Sequence, residues 1–93
     1  MTNTFNSVWD ALEDTPEQAE SMRLRSVFML AIEQHVAQLG ATQTEQARRL
    51  GITQPRLNDL LQGRIHKFSL DALVDIASKA GLRAAVELKA AAE

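Results

Sequence analysis

The stretch from Thr42 to Leu61, TQTEQARRLGITQPRLNDLL, constrains the fold more than any other part of the chain. It holds two short helical patterns separated by Gly51. Thr42 and Glu45 form a capping box that opens a helix through Leu50. Gly51 suits a tight turn, where a left-handed backbone angle favours glycine. Thr53 caps the next helix, and Pro55 lies in its first turn, where a missing N–H costs nothing. Leu57, Leu60 and Leu61 point inward, and Gly63 ends the helix. Ala47 is small where the two helices cross most closely, and Ile52 plugs into the core beside the turn.

The rest of the chain supplies a support for this unit. Its 93 residues fit one compact domain, and 45% apolar residues allow a modest core. The absence of cysteine excludes disulfides and thiolate metal sites, so a reducing cytoplasm is the expected setting. The N-terminal stretch is acidic and lacks the apolar run of a secretory signal. No segment approaches the ~18 continuous apolar residues of a membrane span.

Residues 1–14 read as a docking arm. Phe5, Val8, Trp9 and Leu12 share one helical face, which predicts a short helix from about Ser7 to Glu13 with Ser7 as its cap. A sharper reading makes this arm a partner-binding segment anchored by Trp9. Residues 15–81 form the main domain. Thr15, Pro16 and Gln18 start a helix predicted to run from Pro16 to Leu39, with Gly40 as its stop. Its buried face is expected to hold Leu24, Val27, Phe28, Ala31, Ile32, Val36 and Leu39. His35 stands alone on it, which fits a surface or capping residue better than a metal ligand. Ser69 caps a last helix with Leu70, Leu73, Val74, Ile76 and Ala77 inward, stopped by Gly81.

Residues 82–93 read as a dimerisation strand and a frayed tail, the fraying expected over 90–93. Leu82, Ala84, Val86 and Leu88 alternate with Arg83, Ala85, Glu87 and Lys89, the period of a strand. The alanines favour helix instead. Nothing else in the chain is strand-like, so the partner of such a strand would be its copy in a second subunit, across a two-fold axis. The expected architecture is mainly α: a compact domain of four to five helices with a short C-terminal β-strand paired across a homodimer.

The helix–turn–helix arrangement of residues 42–61 points to DNA, because such a unit places its second helix in the major groove. The formal net charge of −2 argues otherwise until its distribution is read. Asp10, Glu13, Asp14, Glu17 and Glu20 crowd the first 21 residues, which hold no base. Arg48, Arg49, Arg56, Arg64 and Lys67 outnumber Glu45 and Asp59 across 44–67. Phosphate attraction is local, within about 8–10 Å, so the acidic arm should lie away from the DNA. Candidate base contacts are Gln54, Arg56, Asn58 and Asp59: Gln and Asn pair with adenine and Arg with guanine. Asp59 fits better as an orienting group for Arg56 or Asn58, or as an acceptor from cytosine. Thr53, Arg64 and Lys67 are candidate phosphate contacts, and His66 could join them. Arg48 and Arg49 lie on the first helix of the unit, where one of them could simply solvate an outer face.

Gln43, Ala47, Gly51, Ile52, Leu57 and Leu60 resemble the pattern of the phage-repressor and Cro-like (XRE) helix-turn-helix family. The resemblance implies that Gln43 bonds a phosphate, aided by helix N-terminal amides. The pattern departs at Gln46, where an apolar residue is usual, and a half-exposed side chain is expected there. The segments SVWDALEDTPEQAESMRLRS (7–26) and GITQPRLNDLLQGRIHKFSLDALVDIASKAGL (51–82), with the alternating tail, resemble the HigA-type antitoxin subgroup. That likeness implies an autorepressor binding a near-palindromic operator, and a RelE- or HigB-like toxin protein as a further partner. The rival reading is a protein-interaction module that neutralises a toxin with little DNA affinity of its own. Catalysis is not expected: there is no Cys, no Tyr and no glycine-rich phosphate loop, and the only histidines are His35 and His66. No cofactor and no metal are expected either.

Overall fold

The computed structural model describes residues 4–90. Among these residues five helices follow one another: α1 (Thr4–Leu12), α2 (Pro16–Ala37), α3 (Gln43–Leu50), α4 (Gln54–Leu61) and α5 (Leu70–Lys79), with a 3-10 turn at Ile65–Lys67 before the last. Helix α2 is the spine. The arm helix α1, α4, the 3-10 turn and α5 all pack on it, while α3 packs on α4 and α5.

The capping chemistry read from the sequence sets four of these helices. The hydroxyls of Thr15, Thr42, Thr53 and Ser69 accept from the backbone N–H groups of Gln18, Glu45, Arg56 and Ala72. The arm helix begins earlier than expected, at Thr4, so Ser7 lies inside it and not at its cap. The side chain of Phe5 and the tail residues 91–93 lie outside the described residues.

The core is built from Met29, Ile32 and Val36 of α2, Ala47 and Leu50 of α3, Leu57 and Leu60 of α4, Phe68, and Leu73, Ile76 and Ala77 of α5. This corrects the expected face of α2. Val27 and Ala31 are exposed, Leu24, Phe28 and Leu39 are half-buried, and Met22 and Met29 are buried in their place. On α5, Leu70 is only half-buried and Val74 is exposed. The reason is that α2 carries two adjacent apolar stripes. The stripe through residues 22, 29, 32 and 36 meets the other helices. The stripe through 24, 27, 28 and 31 borders an open groove beside α5.

Gly81, at φ 87°, closes α5 with a Schellman-type end: Leu82 N–H donates to the Ala77 carbonyl and Gly81 N–H to that of Ser78. Leu82 packs against the core, and the chain then runs on beside α2 and α5. Residues 82–90 form neither helix nor strand ladder, so neither the expected strand nor the helical alternative is formed within the chain. No helix among the described residues is long and apolar enough to cross a membrane.

Candidate nucleic-acid interface

The α3–turn–α4 unit is fixed from within. Gly51 adopts φ 69° and ψ 30°, its N–H donating to the Arg48 carbonyl and that of Ile52 to Ala47. This second Schellman-type end turns the chain within two residues, and Thr53 caps the next helix at once. Leu57 and Leu60, both fully buried, hold α4 down. Gln46, the departure from the repressor pattern, is half-buried. Its amide donates to the Ala41 carbonyl at 3.1 Å and the Val36 carbonyl at 3.4 Å. A polar side chain is tolerated there because its amide finds carbonyl acceptors, chiefly that of Ala41 in the loop between α2 and α3.

Two clusters flank the exposed face of α4. At its N-terminal end the start of α3 meets the start of α4: Gln54 Nε2 donates to Thr44 Oγ1 at 2.8 Å. Gln43, Thr44, Thr53 and Gln54 are all exposed there. The bond to Thr44 uses one amide hydrogen of Gln54. The other hydrogen and the oxygen remain for a bidentate partner such as adenine. The Thr53 hydroxyl accepts the capping bond and keeps its own hydrogen to donate.

At the far end, Asp59 organises the basic residues. Its carboxylate lies 2.7 Å from Arg64 Nη1 and 3.8 Å from Lys67 Nζ. The Asp59 side chain is only 17% exposed, against 49% for Arg64 and 60% for Lys67, so it sits beneath its partners. The Arg64 hydrogen bond is the main reason its carboxyl is held below the ordinary carboxylate value. Burial opposes that shift, and the charges of Lys67, Arg64 and Arg56 assist it.

Arg56 is half-buried between the two clusters. Its guanidinium lies 3.9 Å from the centroid of the Phe68 ring, and Nη1 donates to the Lys67 carbonyl. Arg56 therefore braces α4 against the segment after the 3-10 turn. Asn58 projects into solvent from the middle of α4, and His66 is exposed beside Lys67. Arg48 and Arg49 are both tied to Glu45 on α3, and these bonds, Arg48's first, hold the Glu45 carboxyl at about 2.

Of the expected contacts, Gln43, Thr53 and Gln54 gather at one end of α4 and Asp59, Arg64 and Lys67 at the other. Leu82, Ala84, Val86 and Leu88 lie apart from both, on the C-terminal arm. Sequence reasoning missed Phe68, the platform beneath Arg56, and Thr44. Phe68 had a readable signal: it precedes the Ser69 cap, and Leu73 stands at the fourth position of α5. That is the spacing of a hydrophobic staple, and both residues are fully buried. Among the described residues no group of His, Asp and Glu could hold a metal ion.

A search of curated proteins finds no match to the chain. A family profile described as a helix-turn-helix domain matches residues 11–89, taking in every helix from α2 to α5 and most of the arm that follows. The chain belongs to this family of helix-turn-helix domains, and that membership supports DNA as its partner.

Proposed function

We propose that the protein is a sequence-specific transcriptional regulator that represses its own gene as a homodimer and serves as the antitoxin of a toxin–antitoxin pair. The observation that carries the DNA reading is the outer face of α4: Asn58 and Gln54, the latter bonded to Thr44, are exposed, with Thr53 and Gln43 on one flank and Arg64 and Lys67 on the other. Gln54 and Asn58 read base edges. Arg56 joins them by swinging off Phe68. Asp59 acts through the two cations that it orients. Gln43, Thr53, Arg64 and Lys67 bond phosphates and fix the register of α4 in the major groove.

The functional division follows the chain. Residues 1–14 dock on the domain, 15–81 bind DNA, and 82–93 join two subunits through paired strands. Two such units on a two-fold axis read half-sites about one helical turn apart, roughly 34 Å, so the operator is a near-palindrome. The antitoxin role rests on the likeness to HigA-type proteins, with a RelE- or HigB-like toxin as the partner.

A mobility-shift titration on the DNA upstream of the protein's own gene, with excess nonspecific DNA, tests the reading. A discrete complex that survives the competitor is expected. Loss of all binding under competition would leave the interaction-module alternative in its place.

A further inference from the structure

The second apolar stripe of α2 is only partly covered by the described residues: Leu24 and Phe28 are half-buried, but Val27 and Ala31 are exposed. Leu24, Val27, Phe28 and Ala31 form one wall of an open groove, Leu70 and Val74 of α5 form another, and the C-terminal arm runs along its edge. The groove encloses about 940 Å³. The arm does not fill it: Val86 is 77% exposed and Leu88 93%.

The size of the molecule points to what fills it. A compact monomer of 10.3 kDa exposes about 5,400 Å². This chain exposes 6673 Å². The excess, about 1,300 Å², is more than the roughly 800 Å² that each partner contributes to a standard interface. The radius of gyration, 14.4 Å, likewise exceeds the ~12 Å of a compact domain of this length. Part of the surplus is the extended arm itself, with Val86 and Leu88 exposed beside the groove, and the total is of the size that a second chain would cover.

One register of such a pairing sets apolar against apolar and cation against anion throughout, whereas an axis at Ala84 would match faces but set Arg83 against the partner's Ala85. Residues opposed in an antiparallel pair share a face, so an axis falling between residues would set apolar side chains against polar ones. With Ala85 on the two-fold axis, Leu82 opposes the partner's Leu88, and Ala84 opposes the partner's Val86. Arg83 then faces the partner's Glu87 on the other side of the ribbon. An axis at Val86 would oppose Arg83 with the partner's Lys89, and one at Glu87 would bring two carboxylates together.

We propose that the arm of a second copy of this chain closes the groove between α2 and α5, as one strand of a two-stranded antiparallel ribbon with Ala85 on the axis. The face bearing Leu82, Ala84, Val86 and Leu88 lies on Val27, Ala31 and Val74, and the face bearing Arg83 and Glu87 is exposed. This rests on the dimer reading above and adds the surface, the register and the ion pairs.

The test is sedimentation equilibrium of the full chain. The wild type is expected to be a dimer. Arg83→Glu and Glu87→Arg should each weaken it about tenfold, because each sets two like-charged pairs across the axis. Mixing the two variants in equal amounts should restore tight association as a heterodimer in which both pairs are again opposite in sign. Neither position is buried, so neither variant disturbs the fold. Val74→Asp in the groove wall should dissociate the dimer with an unchanged circular dichroism spectrum. A wild-type dimer with no rescue on mixing, or one that persists in Val74→Asp, overturns this interface and leaves the dimer reading standing. A wild-type chain that stays monomeric at high micromolar concentration overturns both.

Discussion

Arg56 and Asn58 sit two residues apart on α4 and should fail in different ways when truncated. Arg56 stacks on Phe68 and bonds the Lys67 carbonyl. Arg56→Ala should therefore cost about 1–2 kcal/mol of stability in urea unfolding, besides weakening specific DNA binding. Asn58 is exposed. Asn58→Ala should leave the unfolding midpoint in place and cost about 1–3 kcal/mol of binding to the operator, with nonspecific binding unchanged. Equal loss on operator and unrelated DNA would show that Asn58 contacts no base. At this scale the sequence revealed residue types but not their engagements. It offered Arg56 as a group facing DNA and Asp59 as one that orients Arg56 or Asn58, because all three fall on one exposed helix. The partners of Arg56 and Asp59, Phe68 and Arg64, come from the segment beyond α4, and no local spacing announces that approach.

The turn and the helix before it are where the sequence was most legible. Thr42, Gly51 and Thr53 each meet a purely local demand, a cap or a positive φ, and the structure meets each demand as read. Gly51→Ala should cost about 1–2 kcal/mol, since φ 69° brings Cβ against the carbonyl and the Lys79 side chain must also yield. A thermal melt measures this directly. Helix α3 also carries a pH dependence. The Glu45 carboxyl is held at about 2, against an ordinary 4.5, by Arg48 and Arg49. A lowered carboxyl stabilises the folded state fully above the unfolded value and loses that contribution as pH falls through the folded one. Stability should thus decline between about pH 4.5 and 2. Glu45→Gln should flatten part of that decline, and added salt should shrink the difference because the pairs are exposed. The spine helix α2 was read less well, for a physical reason. A helix apolar around much of its circumference has no single face. Periodicity merged the stripe that meets the core with the stripe that borders the groove, and only tertiary packing separates them.

For the whole molecule, the relevant electrostatics is local, and the proposed dimer would double it by symmetry. A net charge of −2 does not describe what DNA would meet, because five of the twelve acidic residues crowd the first 21 positions, which hold no base, while Arg64 and Lys67 flank α4. Each cation that neutralises a phosphate adds about −0.9 to the slope of log K against log salt. Two cations per subunit give a dimer a slope of about −4. Lys67→Ala, which removes one cation from each subunit, should bring it to about −2 and weaken all sequences alike. Val86→Asp should reach a similar slope by another route. It places a charge on the apolar face of the arm and separates the subunits. Because Val86 is 77% exposed, the monomer keeps its fold and its own α4 surface. The two variants then differ in specificity. The Lys67→Ala dimer still prefers the full palindrome, whereas the Val86→Asp monomer binds a half-site as well as the whole. Measuring both slopes on whole and half operators separates the charge of the site from the symmetry that repeats it. A Val86→Asp protein that still favours the palindrome would show that the arm does not join the subunits.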